Sequence, residues 1–332
     1  MLYVDNKGIN DPQINLAIEE YILKNLDIDE SYLLFYINGP SIIIGRNQNT
    51  IEEINTEFVE KNNIKVVRRM SGGGAVYHDL GNLNYSFITK DEGNSIQDNF
   101  KKFTKPVINA LRKLGANASL IGRNDIEIDG KKVSGTAQYA TAGRMYTHGT
   151  LLFHSDLDNV NKALKPKKEK IESKGVKSVR ARVGNISEFI DREMTMEEFK
   201  QFILESVFEA AGSEIKEYVL TEEDWEKIHE LSRNKYQTWE WNYGKSPKFN
   251  IQNSKRFPQA GTIDVRLDVA KGIIQNVKIY GDFFGWGDVQ KIEEKLTGIR
   301  YEKDALEEAL EDVDIKYYFG NVEKEDFINL IY

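Results

Sequence analysis

Apolar residues recur at helical spacing near the start of the chain, where Ile14, Ala17, Tyr21 and Ile22 share one face. Asp11 followed by Pro12 supplies an N-cap and a proline at the first helical position, so a helix is predicted as far as about Leu26. The period then shortens. YLLFYI at 32–37 is a buried-strand run, Gly39-Pro40 turns it, and SIIIG makes a second strand. IKVVR at 64–68 is a third, and the alternation of Leu83, Tyr85 and Phe87 marks a strand with one buried face. A helix is predicted over 95–114, with Pro106 as a point where it could split.

Strand-like pieces at 118–121 and 125–129 follow, and Asp129-Gly130 is a hairpin signal leading into KKVSGTAQY and then RMYTHGTLLF. Thr195 with Glu198 forms a capping box opening a helix to about Ala211, and Thr221 opens another. Irregular alternation of helices and strands, with hairpins demanding antiparallel pairs, predicts an α+β fold around a central mixed sheet. The turn-rich stretch 242–258 is the expected boundary, giving domains 1–245 and 246–332. The second is a small α/β unit with strands near 260–269 and 273–280 and helices near 287–297 and 303–311.

Composition narrows the chemistry. A length of 332 residues suits one large or two modest domains, and 40% hydrophobic content supports a sizeable core. No run of about 18 apolar residues is present to span a membrane. The first residues lack the basic and then apolar pattern of a signal peptide, so a cytoplasmic protein, expected to be monomeric, is the default. The net charge of −8 argues against nucleic acid as the main partner. With no cysteine there is no thiolate nucleophile, disulfide or thiolate metal site. The four histidines, His78, His148, His154 and His229, show no metal-ligand spacing.

The densest signal is RRMSGGGAVYHDLGNLNYSF at 68–87. Gly72, Gly73 and Gly74 have no side chains to pack and lose much backbone entropy on folding. They fit either a tight turn or a loop presenting backbone N–H groups to an anion, with Arg68 and Arg69 adding positive charge. Neither the Walker pattern nor GxGxxG is met. Asn124 and Asp125 read as a turn or as oxygen ligands for Mg²⁺. Of Lys131 and Lys132, strand alternation sends one to each face, where it is a surface lysine or lines a cleft. His148 is a structural histidine or a pocket wall. The basic stretch 165–182 is a solvated loop or a flap over a nucleotide, bracketed by Gly175 and Gly184.

Taken together, RRMSGGGAVYHDLGNLN, NDIEIDGKKVSGTAQ, HGTLLF and KGVKSVRARVGNISE resemble the lipoate–protein ligase family in order and spacing. PSIIIGRNQN also looks like the family's early strand and loop. The resemblance covers roughly 1–245, and the remainder resembles the family's C-terminal accessory domain. It implies the catalytic fold shared with biotin ligases. It implies that Arg69, Ser71, Gly72, Gly73 and Gly74 contact lipoate and phosphates, and that Ala75, Val76, Tyr77, His78 and Asp79 face adenine. Asn124 and the metal-binding Asp125 would lie by the phosphates, and Ser134, Gly135 and His148 would line the pocket. Lys132 corresponds to the family's essential lysine, and the loop about 171–184 to the segment that orders over the adenylate.

The activity so implied uses ATP and Mg²⁺ to convert lipoic acid to lipoyl-AMP. The acyl group then passes to a lysine of a lipoyl domain of 2-oxoacid dehydrogenase complexes or of glycine-cleavage H protein. Relatives that form a cysteine thioester are closed off by the missing cysteine. The alternatives are a ligand-sensing protein without catalysis and a ligase preferring another acyl chain such as octanoate.

Overall fold

The computed structural model describes residues 1–164, 182–244, 250–270 and 272–332. Most of the basic stretch 165–182, including Gly175, and part of the expected boundary therefore lie outside the described residues. The chain divides into two compact units. The first contains Met1–Ile44, Thr50–Arg69 and Ala75–Asn242. The second contains Tyr243–Tyr332 together with two short excursions of the earlier chain, Gly45–Asn49 and Met70–Gly74.

The first unit is built on a seven-stranded mixed sheet in the order β1-β2-β6-β10-β9-β8-β7. Its strands are β1 (Leu2–Asp5), β2 (Tyr32–Ile37), β6 (Asn82–Lys90), β7 (Ala118–Ile121), β8 (Asp125–Ile128), β9 (Lys131–Thr141) and β10 (Arg144–Leu152). β1 runs parallel to β2 and the remaining pairs are antiparallel. A smaller sheet holds β3 (Ser41–Ile44) between β4 (Lys65–Arg68) and β5 (Val76–His78). The expected α+β architecture with a central mixed sheet is what forms.

Side chains on the large sheet alternate between two covered faces. Leu33, Phe35, Leu83, Tyr85, Phe87, Met145 and Leu151 point into the main core. There they meet Phe103, Val107 and Leu111 of helix α2 (Ile96–Lys113) and Phe199, Ile203 and Val207 of helix α3 (Met196–Ala210). α2 runs unbroken through Pro106. Its packed apolar face offsets a proline penalty of about 3 kcal/mol, so the split allowed by sequence does not occur. The opposite sheet face carries Tyr36, Asn84, Ser86, Tyr146 and His148 in register, and helix α1 (Pro12–Asn25) packs over it. Asp11 caps α1 through Gln13 N at 3.0 Å, as its sequence predicts.

Asp129 and Gly130 take φ of 49° and 78° and close the β8–β9 hairpin with Ile128 opposite Lys131, the positive-φ turn expected of Asp-Gly. Thr195 and Glu198 form the predicted capping box.

In the second unit, β11 (Ile251–Phe257), β12 (Gly261–Ala270) and β13 (Ile273–Gly281) form an antiparallel sheet. β11 occupies part of the stretch that reads as turn-rich. It is polar because it is an edge strand, held to β12 by backbone pairing while most of its side chains face out. Helices at Gln290–Leu296, Lys303–Ala309, Ile315–Phe319 and Lys324–Ile331 complete the unit's apolar core.

Candidate active site

On the α1 side of the large sheet, a set of polar groups is buried among aromatic rings. Arg69 follows directly on β4, is 5% exposed, and donates from Nη1 to the Ile43 carbonyl at 3.0 Å. Burial pulls its pKa down to about 10, with Tyr146, Tyr36 and Glu19 acting against that shift, so it stays cationic at neutral pH. His148 Nδ1 lies 2.9 and 3.1 Å from the two carboxylate oxygens of Glu19, a buried residue of α1. The imidazole also packs on the Tyr146 ring, with centroids 4.7 Å apart.

His78 ends β5 with Nδ1 3.0 Å from Asn38 Nδ2. With the amide donating, the ring N–H sits on Nε2, a buried atom with no hydrogen-bond partner among the described residues. Burial, reinforced by Arg69 and His148, pushes the His78 pKa down to about 3, so the ring is neutral. Asn38 is held in turn by Asn15 at 2.9 Å, and Asn15 by Asn6 at 2.8 Å. Glu19, Asn15 and Asn38 are absent from the residues that sequence picks out. The signal was present in α1, where Asn15 and Glu19 stand four apart beside the apolar stripe, so they share a buried face.

A second cluster lies on the β8–β9 hairpin. Lys132 Nζ is 2.7 Å from Asp125 Oδ1, and both side chains are partly exposed. The register of β8 on β9 slips between Ile126 and Glu127, a bulge of the kind that re-aims side chains. Lys132 folds back over Gly135, where an added Cβ would stand 3.3 Å from its Nζ. Asn124 brackets the same strand, donating from Nδ2 to Thr136 O at 2.6 Å and accepting from Thr136 N at 2.8 Å. Gly184, just past the basic stretch, donates its N–H to the Lys132 carbonyl at 3.0 Å.

Of the first cluster, His148 shares the large sheet with the hairpin, while Arg69 and His78 come from the smaller one. His148 stands opposite Ala137, two residues along β9 from Gly135, or roughly 7 Å of strand. Among the described residues no three carboxylates or histidines converge as a metal cage. One partly exposed carboxylate beside an asparagine suits Mg²⁺, which is commonly held by one or two carboxylates and the substrate's phosphates.

Other expected site residues have different surroundings. The Ser134 hydroxyl is buried. Ser134 pairs with Ile126 of the core and sits on the Tyr85 side of the sheet, so its hydroxyl does not face the His148 side. Asp79 uses one carboxylate oxygen for Gly81 N at 2.9 Å and the other for Asp156 N at 2.8 Å, shaping the turn after β5. Tyr77 is buried opposite Ile42, while Ala75 and Val76 are half-buried. Arg68, which reads as a second anion-binding charge, is fully buried and turned into the fold, donating from Nε to the Trp241 carbonyl at 2.9 Å.

The glycine loop belongs to the second unit. Ser71 O accepts from Arg46 N at 2.9 Å, and Gly45 lies against the Gly73 carbonyl, so the two excursions are packed together. Gly73 has φ of 90°, which favours glycine. Gly72 has a different reason: a Cβ there would come 2.5 Å from the Phe283 carbonyl oxygen. Packing does explain this glycine, contrary to the expectation from sequence, because the close neighbour is the chain's own backbone. Gly281 N donates to Asn47 O at 2.8 Å, and Arg46 pairs with Asp288 at 2.8 Å in the same unit.

Comparison with known proteins bears on the chain as a whole. Residues 11–208 match the family model described as the lipoyl protein ligase A/B catalytic domain. Residues 246–331 match the bacterial lipoate protein ligase C-terminus. The chain is 62% identical to lipoate-protein ligase LplJ of Bacillus subtilis and 52% identical to lipoate–protein ligase 1 of Staphylococcus aureus, in each case over 100% of both chains. Among solved structures, P. falciparum LipL1 in complex with lipoate matches with a TM-score of 0.78 at 25% identity, covering 99% of this chain and 97% of that one. Lipoate-protein ligase A bound with ATP matches with a TM-score of 0.63 at 32% identity, covering 74% of this chain and 97% of that one.

Proposed function

From the premise that this chain belongs to the lipoate–protein ligase family, we propose that it activates lipoate with ATP and transfers the lipoyl group to an acceptor lysine. The observation that carries the reading is Lys132, folded over Gly135 onto Asp125. The buried Arg69, His78 and His148 cluster belongs to the same unit.

In the first step the lipoate carboxylate attacks the α-phosphorus of ATP. The bond to the β-phosphate breaks, giving lipoyl-AMP and pyrophosphate. Negative charge gathers on the carboxylate and α-phosphate together, and Lys132 turns from Asp125 to meet it. Asp125, with Asn124 beside it, would hold Mg²⁺, which supplies charge neutralisation at the phosphates. In the second step the acceptor's ε-amine attacks the acyl carbonyl, AMP departs with the bonding pair, and the new amide loses a proton. No enzyme nucleophile is required, in keeping with a chain that contains no cysteine. Tyr36, Tyr146 and His148 are buried rings that would flank an aliphatic tail.

The acceptors proposed are lipoyl domains and glycine-cleavage H protein, met in the cytoplasm by a monomeric enzyme. A structural relative from Thermoplasma acidophilum is described as a bipartite lipoate protein ligase with its E2 lipoyl domain. Among the described residues no helix is long and apolar enough to cross a membrane. The test is to incubate the protein with ATP, Mg²⁺ and lipoate or octanoate, with an unmodified lipoyl domain or H protein, and to measure pyrophosphate and acceptor mass. Lipoyl-adenylate and a lipoyl mass increment are expected. Binding of lipoate without pyrophosphate release would reject ligation.

A further inference from the structure

Arg68 immediately precedes the residue proposed to face the ligand, yet it is fully buried and points the other way. Its backbone N–H donates to Asn242 Oδ1 at 2.9 Å and its Nε to the Trp241 carbonyl at 2.9 Å. Nη2 reaches the Thr50 hydroxyl at 2.7 Å and the Asn242 carbonyl at 3.3 Å. The Thr50 hydroxyl in turn donates a hydrogen bond to the Asn242 carbonyl at 2.5 Å, and the Trp241 indole N–H donates to the Arg68 carbonyl at 2.7 Å. Asn242 Nδ2 is spent on the carbonyls of Tyr236 and Thr238, at 2.8 and 2.9 Å.

The positions of these residues along the chain give the knot its meaning. The chain passes between the two units after residues 44, 49, 69, 74 and 242. Thr50 is the first residue after one crossing, Asn242 the last before another, and Arg68 stands one residue inside a third. The knot thus ties together, within the first unit, the points from which 45–49, 70–74 and 243–332 depart. It is braced from behind. Lys235 lies over the Trp241 ring at 4.1 Å and pairs with the buried Glu20 of α1 at 2.7 Å. Lys235 itself belongs to a π-helical turn, Ser232–Tyr236, an irregularity that often marks functional positions.

We infer that Arg68, Thr50 and Asn242 are positioning residues: a clamp that sets where the glycine loop and the 45–49 loop leave the first unit, and through β4 where Arg69 is held. The clamp rests on the proposed ligase reading only for what the loop binds. Its mechanical role stands on the hydrogen bonds alone.

The test is amide hydrogen exchange on the full chain without substrate, in wild type, Thr50→Val and Arg68→Met. Thr50→Val keeps shape and removes the shared hydroxyl. Exchange in 45–49 and in 70–74 is expected to rise together by about tenfold, with α2 unchanged, and the KM for lipoate to rise while kcat falls less. Loops exchanging at the wild-type rate in folded Thr50→Val would overturn the clamp, as would equal acceleration in every segment. Arg68→Met leaves buried carbonyls unmatched, so if it does not fold, Thr50→Val decides. A wild type that makes no lipoyl-adenylate would sink the ligase reading and leave the exchange result standing.

Discussion

Lys132 and Asp125 are bound to each other at 2.7 Å, so the cation proposed for the reacting phosphate and the carboxylate proposed for Mg²⁺ start as partners. Substrate binding must exchange that pair for two new ones. Lys132→Ala is expected to slow pyrophosphate release by roughly 10²–10³, the range seen when one preorganised charge-stabilising group is removed. A variant within threefold of wild type would take the lysine out of the mechanism.

Asp125→Asn separates the two roles. Lys132 remains, but the anionic oxygen that Mg²⁺ prefers is gone. The Mg²⁺ concentration for half-maximal adenylation is expected to rise by about an order of magnitude, read from a titration at fixed ATP. No change in that midpoint would move the metal elsewhere.

His78 makes stability depend on acidity. Its folded pKa of about 3 lies below the ordinary value of 6.5. The neutral ring is therefore favoured in the fold, and its full contribution is present above pH 6.5. As pH falls below that value the unfolded chain takes up a proton that the folded chain refuses. Stability is lost at up to about 1.4 kcal/mol per unit until the folded ring itself protonates. Between pH 7 and 5 the wild type should lose roughly 2 kcal/mol more than His78→Phe in urea unfolding. Equal losses would show that the ring titrates normally.

Gly72→Ala tests the packing reason for that glycine. The added methyl would meet the Phe283 carbonyl at 2.5 Å, and backbone cannot yield as a flexible side chain does. A loss of about 1–3 kcal/mol is expected in urea unfolding. A neutral effect would return the glycine to a purely ligand-facing role.

Glu19→Ala should act through His148. It removes a buried hydrogen-bond partner from a buried imidazole, with an expected loss of roughly 1–3 kcal/mol. The KM for lipoate should rise more than that for ATP, because the imidazole packs on the Tyr146 ring of the proposed tail slot. Equal changes in both would assign Glu19 to general stability.

Periodicity and turn chemistry were enough for most of the first unit. α1, α3 and the Asp129-Gly130 hairpin each rest on local signals, and local structure follows them. β11 was hidden because an edge strand needs little apolar patterning when backbone pairing holds it. At the candidate site, Arg69 and Lys132 stood out as charges beside glycines. Glu19 and Asn38 did not, since their roles come from long-range packing against His148 and His78. Arg68 looked identical to Arg69 in sequence. Their partners distinguish them: Thr50, and Trp241 and Asn242 more than 170 residues away, hold Arg68.

The interleaving of the two units has a consequence for how the protein is made. Gly72 leaves the ribosome long before Phe283, whose carbonyl it packs against. At about 5–20 residues per second the delay is roughly 10–40 s. During that interval the 70–74 loop lacks the backbone it packs against, although the strands of the first unit can already pair. The 70–74 loop is therefore among the last parts of the chain to mature, and a nascent chain stalled before Phe283 would hold paired strands and a loop still lacking its packing partner.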